Sequence, residues 1–218
     1  MPAVLTEQVH TKPCLLGAVT LAAGVGLTEL FHLLEKPLFS RIYYGNFNGV
    51  FFGVLSAVFL ALVLFFVHRK LKRRTGLTPF VKHPPVPFPR RAVLYLMTVL
   101  PVLLVSILLG YRFKLVYELG DRVAKMHMWG NAAGYLRAAA VLFAAVYTVF
   151  LTEKAIPSKF PVGALASLLL FGVPSWLTDP SPLSVVYFAL FFYIGILYRV
   201  SQNRFWVTYI LSVVLYIL

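Results

Sequence analysis

Residues 46–74 decide the fold of this chain, and they read NFNGVFFGVLSAVFLALVLFFVHRKLKRR. From Asn46 to Val67 the stretch is almost entirely apolar, and five of the next seven residues are Lys or Arg. A helix needs about 20 apolar residues to cross the roughly 30 Å hydrocarbon core of a bilayer. Such a run followed directly by a basic cluster is typical of a transmembrane helix anchored on the cytoplasmic side.

The composition of the whole chain agrees with a membrane protein. Of 218 residues, 60% are hydrophobic and 12% are charged, whereas an average soluble domain has about 25% charged residues. This excludes a soluble single domain. The net charge of +13 is not gathered on a soluble face, which argues against a nucleic-acid partner. The single cysteine, Cys14, excludes an intrachain disulfide and a zinc site built from several thiolates.

Six further apolar stretches resemble the one from Asn46 to Val67. They run over Cys14–Leu34, Arg91–Tyr111, Asn131–Leu151, Phe160–Leu177, Leu183–Tyr198 and Phe205–Leu218. We therefore predict an all-α fold: a polytopic integral membrane helical bundle of about seven transmembrane helices, forming a single domain over residues 1–218. The first stretch is longer than the usual signal-peptide core, so we expect it to be retained.

The distribution of Lys and Arg predicts the orientation of the bundle, because cytoplasmic loops are enriched in these residues. When the predicted loops alternate across the membrane, thirteen of the 20 basic residues fall on one side. Eight of the thirteen lie in the connection after the second helix, which contains no acidic residue. We expect the N-terminus and this connection to be cytoplasmic.

Two connections are long enough to have a role of their own. Residues 68–91 are predicted to form a basic, proline-rich cytoplasmic loop that anchors the topology and binds anionic lipids or an acidic partner. Residues 112–130 are predicted to form an external amphipathic helix, because their apolar residues follow a helical period. The residues expected to bind lipid or a partner are Arg69, Lys70, Lys72, Arg73, Arg74, Arg90 and Arg91.

Ionisable residues within a membrane helix are costly and are therefore candidates for function. Glu29, His32 and Glu35 are spaced so that they share one helix face. With His127 they form a weak candidate for a metal or proton-transfer site, and an interfacial polar cap is the alternative. Arg137 is expected within reach of Glu29, where a plain ion pair is the simplest role. We assign no metal ion and no cofactor. Pro101 and Pro174 are expected to kink or end their helices.

The C-terminal third carries an ordered set of features. Thr152-Glu153-Lys154 ends the fourth helix, the run from Phe171 to Ser175 reads FGVPS, and Arg199 to Trp206 reads RVSQNRFW before the last helix. In order and spacing, residues 149–218 resemble the CAAX protease and bacteriocin-processing family of intramembrane proteins. The resemblance implies a bacterial or archaeal cell membrane and a site formed by the fourth, fifth and seventh helices.

Most of the family's catalytic residues are absent at the matching positions. Glu153 matches the first Glu of the family's Glu-Glu motif, but Lys154 replaces the second. Ser175 and Ser212 stand where the family has its two histidines. Water activation needs a base and a polarising partner, so the resemblance implies a degenerate member with Glu153, Ser175 and Ser212 at the former catalytic positions.

Three functions follow from these observations. The first is a non-catalytic membrane scaffold or accessory subunit that binds a partner membrane protein, a peptide or a lipid. The second is an active intramembrane peptidase that uses Glu153, or the group around Glu29, in a rearranged site. The third is a small transporter, which the scarcity of polar residues within the helices disfavours.

Overall fold

The computed structural model describes residues 2–39, 45–81, 83–109, 128–178 and 182–217. Within these residues the protein is all-helical and contains no strand, as predicted. Seven helices occupy the seven predicted stretches. They are α1 (Pro2–Phe39), α2 (Gly45–Thr75), α3 (Phe88–Leu109), α4 (Met128–Ala155), α5 (162–178), α6 (Pro182–Val200) and α7 (Phe205–Ile217). The predicted amphipathic segment 112–130 lies, up to His127, outside the described residues.

Four of these helices are long and apolar enough to cross a membrane. Their candidate spans are Thr11–Leu30, Val50–Thr75, Phe88–Val105 and Ala132–Ala155. The apolar parts of α5, α6 and α7 are shorter, at 10–17 residues each. Large apolar side chains face outward, including Phe66, Leu96 and Ile107, which are 63%, 61% and 76% exposed. Surfaces of this kind suit contact with lipid rather than with water.

The centre of the bundle is α4. Its residues 144–151 are buried on every side, which is the pattern of a helix surrounded by others. Helices α1 and α2 pack against α4 and against each other, and α5, α6 and α7 also pack on α4. Helix α3 packs only on α6 and α7 among the larger contacts of the described residues.

Two helix crossings depend on glycine. A Cβ atom placed on Gly195 of α6 would lie 2.3 Å from Ala164 Cα of α5. A Cβ atom on Gly53 of α2 would lie 2.9 Å from Ala133 Cβ of α4. Small residues let helix backbones approach closely, which is how transmembrane helices gain packing energy.

Helix α2 is longer than its predicted apolar stretch, so the predicted loop 68–91 is only in part a loop. The helix continues for two turns to Thr75, and α3 begins at Phe88, which leaves residues 76–87 as the connection. Lys, Arg and Leu are strong helix formers, and they carry the helix past the end of the apolar run. Gly76 ends it: with φ at +70°, its N–H donates to the carbonyl of Lys72.

The connection 76–87 is docked onto the bundle. The ring of Phe80 stacks on Trp206 at a centroid distance of 5.6 Å and meets Phe205 edge-on at 5.3 Å. Arg204, which is 7% exposed, donates to the carbonyl of Pro84 and to Gln202 Oε1. These contacts fix the connection at one end of the bundle, where α2, α4 and α6 end and α3, α5 and α7 begin. We call this the basic end.

The two helical prolines leave their helices continuous. Pro101 lies inside α3, and because it has no N–H, the carbonyl of Met97 is free to accept the Tyr193 hydroxyl at 2.7 Å. Pro174 follows a π-helical turn over Leu168–Gly172 within α5. Such a turn widens the helix by one residue, which gives room just before the proline ring.

Candidate functional site

Glu153 stands at the basic end, where the resemblance places a catalytic carboxylate. Its Oε2 lies 2.7 Å from Nη2 of Arg199, and Nε of the same arginine lies 3.1–3.2 Å from both carboxylate oxygens. Oε1 also accepts the backbone N–H of Gly163 at 2.9 Å. Gly163 is in the first turn of α5, where the unpaired N–H groups and the helix dipole favour an anion. Glu153 therefore joins three helices: its own α4, the start of α5 and the end of α6.

Arg199 completes this junction with backbone carbonyls. Its guanidinium donates to the carbonyls of Ser158, Lys159 and Phe160, which form the connection between α4 and α5. The side chains of Glu153 and Arg199 are 12% and 26% exposed. A bidentate arginine–carboxylate pair fixes the relative geometry of the two side chains in addition to its charge attraction. Both carboxylate oxygens thus accept hydrogen bonds that hold the helices together, and Arg199 sets the orientation of the carboxylate. We call this set of contacts the Glu153 junction.

Ser175 lies far along α5 from the contact between Gly163 and Glu153, and Ser212 bonds within its own helix. Ser175 lies twelve residues beyond Gly163 on α5, which places it about 18 Å further along the helix at 1.5 Å per residue. Ser212 is fully buried in α7 and donates to the carbonyl of Thr208 at 2.8 Å. The hydroxyl of Ser212 is thus engaged with the backbone of α7.

A second ion pair joins α1 to α4. Nη2 of Arg137 lies 2.6 Å from Oε1 of Glu29, and the two side chains are 20% and 24% exposed. The side chains of His32 and Glu35, and all of His127, lie outside the described residues, so the wider cluster stays a prediction. In the described part of the chain, no three His, Cys, Asp or Glu side chains come close enough to hold a metal ion.

The predicted lipid- or partner-binding cations are spread over the basic end. Five lie on the last two turns of α2, and all five are exposed: Arg69, Lys70, Lys72, Arg73 and Arg74. Arg90 and Arg91 lie on the first turn of α3, and Nε of Arg91 donates to the carbonyl of Val86 at 2.6 Å. The helical extension of α2 orders the first five cations into distinct faces, which a loop would not do.

At the opposite end of the bundle, an apolar groove opens between α3, α6 and α7. It has a volume of about 390 Å³. Its lining includes Pro101 to Val105 on α3, parts of α6 from Val185 to Tyr193, and Leu215 and Tyr216 on α7. The groove forms because α3 packs loosely against α6 and α7. One of the few contacts is the hydrogen bond from the Tyr193 hydroxyl to the Met97 carbonyl.

Sequence reasoning missed Arg199, Arg204 and the groove. Arg199 was visible as a lone cation at the end of an apolar helix, on the same predicted side as Glu153. That placement was the one available signal for the Glu153 junction. The groove could not be predicted from sequence, because it depends on the distances between α3, α6 and α7 in the folded bundle.

Comparison with known proteins gives no further assignment: no family model, no curated protein and no solved structure matches this chain.

Proposed function

We propose that this chain is a non-catalytic, multi-pass membrane scaffold that holds an apolar helix of a partner membrane protein in the groove between α3, α6 and α7. In this proposal the seven helices cross the membrane with the N-terminus and the basic end in the cytoplasm. The chain is then a degenerate relative of the CAAX protease and bacteriocin-processing family, set in a bacterial or archaeal cell membrane. The Glu153 junction is the observation that carries the non-catalytic part.

A general base must be free to reach a water molecule and must have a partner that polarises the substrate. Glu153 instead accepts hydrogen bonds from Arg199 and from the N–H of Gly163. Arg199 holds the carboxylate by ion pairing and donates to both of its oxygens. These contacts support a structural role for the one acid that the family resemblance singles out.

The size and lining of the groove support the proposal of a partner helix. Along α6 its lining runs from Val185 to Tyr193, which is about 12 Å or two helical turns. Two turns of a partner helix present three or four side chains on one face, and the groove receives such side chains between α3 and α6. Three of its lining residues are tyrosines: Tyr187, Tyr193 and Tyr216. Tyrosine is enriched in protein–protein interfaces and among residues that dominate binding energy.

Helix α3 is also suited to contact a partner helix, because little of its surface is buried by the rest of the bundle. Only 11% of its candidate span is buried, compared with 50% for α4. Without a water-driven hydrophobic force, membrane helices associate through close packing. A partner helix beside α3 would supply the packing that the chain itself does not.

Site-specific photocrosslinking in native membranes tests this proposal. A photoreactive amino acid at Leu104, which lines the groove, is expected to give a discrete polypeptide adduct. The same group at Leu96, exposed on α3 but outside the groove, is the matched control and should label lipid only. Filling the groove with Ala189→Trp should remove the adduct at Leu104. Lipid adducts alone at both positions, or the same polypeptide at both, would overturn the proposal.

A further inference from the structure

We propose that the cleft between α1 and α2 at the basic end binds one anionic phospholipid, with its phosphate at Lys70 and Arg74 and an acyl chain along Leu16 and Phe66. The cleft has a volume of about 190 Å³. Its residues are Pro13, Leu16, Gly17 and Thr20 on α1, and Phe66, Val67, Lys70, Leu71 and Arg74 on α2. This inference rests on the proposed membrane placement but not on the proposed partner helix.

The cleft is charged at one end, at Lys70 and Arg74, and apolar at the other, at Leu16 and Phe66. Phe66, Lys70 and Arg74 are spaced four residues apart, so they form one stripe on α2. The stripe runs from the end of the apolar span into the basic cluster, over about 12 Å. Buried Val67 and Leu71 form the floor. An anionic phospholipid has the same order, with a phosphate above and hydrocarbon below.

The two cations of the cleft have no counter-charge among the side chains that the structure describes. Among the described residues, neither Lys70 nor Arg74 makes an ion pair or a hydrogen bond. The sequence contains no Asp or Glu between Glu35 and Glu118. The only carboxylate described at the basic end, that of Glu153, is held by Arg199. The described side chains therefore leave the charge of the cleft open to an anionic ligand, and the anionic inner leaflet is at this depth.

The apolar walls favour a phospholipid over a free phosphate or an acidic peptide. Leu16 and Phe66 are 53% and 63% exposed beside the cations, and only a ligand with a hydrocarbon part covers them. An acidic peptide would engage Arg69 and Arg73 equally well, because they are exposed on the same turns of α2. Those two residues do not line the cleft.

Lipid binding in nanodiscs tests the site. The full chain is reconstituted in phosphatidylcholine with a small fraction of phosphatidylglycerol, and native mass spectrometry counts the retained lipids. The wild-type chain should retain one phosphatidylglycerol. Lys70→Gln with Arg74→Gln should weaken its retention roughly 30-fold, as expected for two lipid-facing charges. The matched control, Arg69→Gln with Arg73→Gln, removes the same charge and should weaken it by less than about threefold, because these residues lie outside the cleft.

A second pair of variants tests the acyl-chain part without changing charge. Leu16→Trp fills the cleft and should displace the lipid, whereas Val19→Trp, at an exposed position outside the cleft, should not. Equal losses in the two charge variants, an unchanged lipid count in Leu16→Trp, or displacement of the lipid by inorganic phosphate alone would each overturn the site. None of these results bears on crosslinking at Leu104, so this site and the proposed function fail separately.

Discussion

Glu153 and Arg199 show how one pair of residues can be read in two ways. The family resemblance implies that Glu153 is the remaining acid of a catalytic motif. In the structure both of its carboxylate oxygens accept hydrogen bonds from Arg199, and Oε1 also accepts the N–H of Gly163 in the first turn of α5. Breaking a well-buried ion pair by removing one partner costs about 3–5 kcal/mol, because the other charge is left unpaired. Both side chains here retain some exposure, so a smaller cost is expected.

Glu153→Gln is expected to lower the free energy of unfolding by about 1–3 kcal/mol, since the neutral amide leaves Arg199 without its counter-ion. Thermal unfolding of the purified chain measures this. Arg199→Gln should have an effect of similar size, and the double variant should cost less than the sum of the two. Additive effects, or a peptide-hydrolysis rate that disappears with Glu153→Gln while stability is unchanged, would show that Glu153 acts chemically.

The sequence reveals single residues better than their partners. Glu29 and Arg137 could be paired because both are predicted at a similar depth below the outer membrane surface. Arg199 could not be assigned to Glu153, because the pairing spans 46 positions and depends on how α4 and α6 cross. Arg204 is similar: its burial follows from the docked connection 76–87, which composition alone does not predict.

At the scale of helices, positions were predictable and ends were less so. Apolar length located the seven helices of the described residues, because that length is set by the need to bury a helix or to span a membrane. The basic extension of α2 was missed, since Lys and Arg mark the end of an apolar run but continue a helix readily. The π-helical turn of α5, which precedes Pro174, was also missed.

The crossing of α5 and α6 should tolerate no side chain at Gly195. Gly195→Val places atoms inside van der Waals contact of the Ala164 backbone, so it should cost more than about 3 kcal/mol or prevent folding. Gly26→Ala in α1 is the matched control, because no atom lies within 4 Å of the added Cβ, and it should be neutral or stabilise by up to about 1 kcal/mol. Thermal unfolding and the yield of folded protein compare the two. Equal stability of both variants would show that this crossing is looser than described.

At the scale of the whole molecule, charge and hydropathy have separate roles. The apolar helices make the chain a candidate for the membrane, and the one-sided distribution of Lys and Arg predicts its orientation. The basic end then combines three features: the Glu153 junction, the docked connection 76–87 and the cleft between α1 and α2. The groove opens at the opposite end, so the proposed partner and the proposed lipid occupy different leaflets.

Cysteine accessibility in sealed vesicles tests this arrangement most directly. With Cys14 replaced by Ser, one cysteine is introduced at Thr78 in the connection 76–87 or at Trp129 at the start of α4. We expect a membrane-impermeant thiol reagent to label position 78 only from the cytoplasmic side and position 129 only from the opposite side, and we expect the protein to resist alkaline extraction. Labelling of both positions from one side, or extraction of the chain by alkaline carbonate, would contradict it.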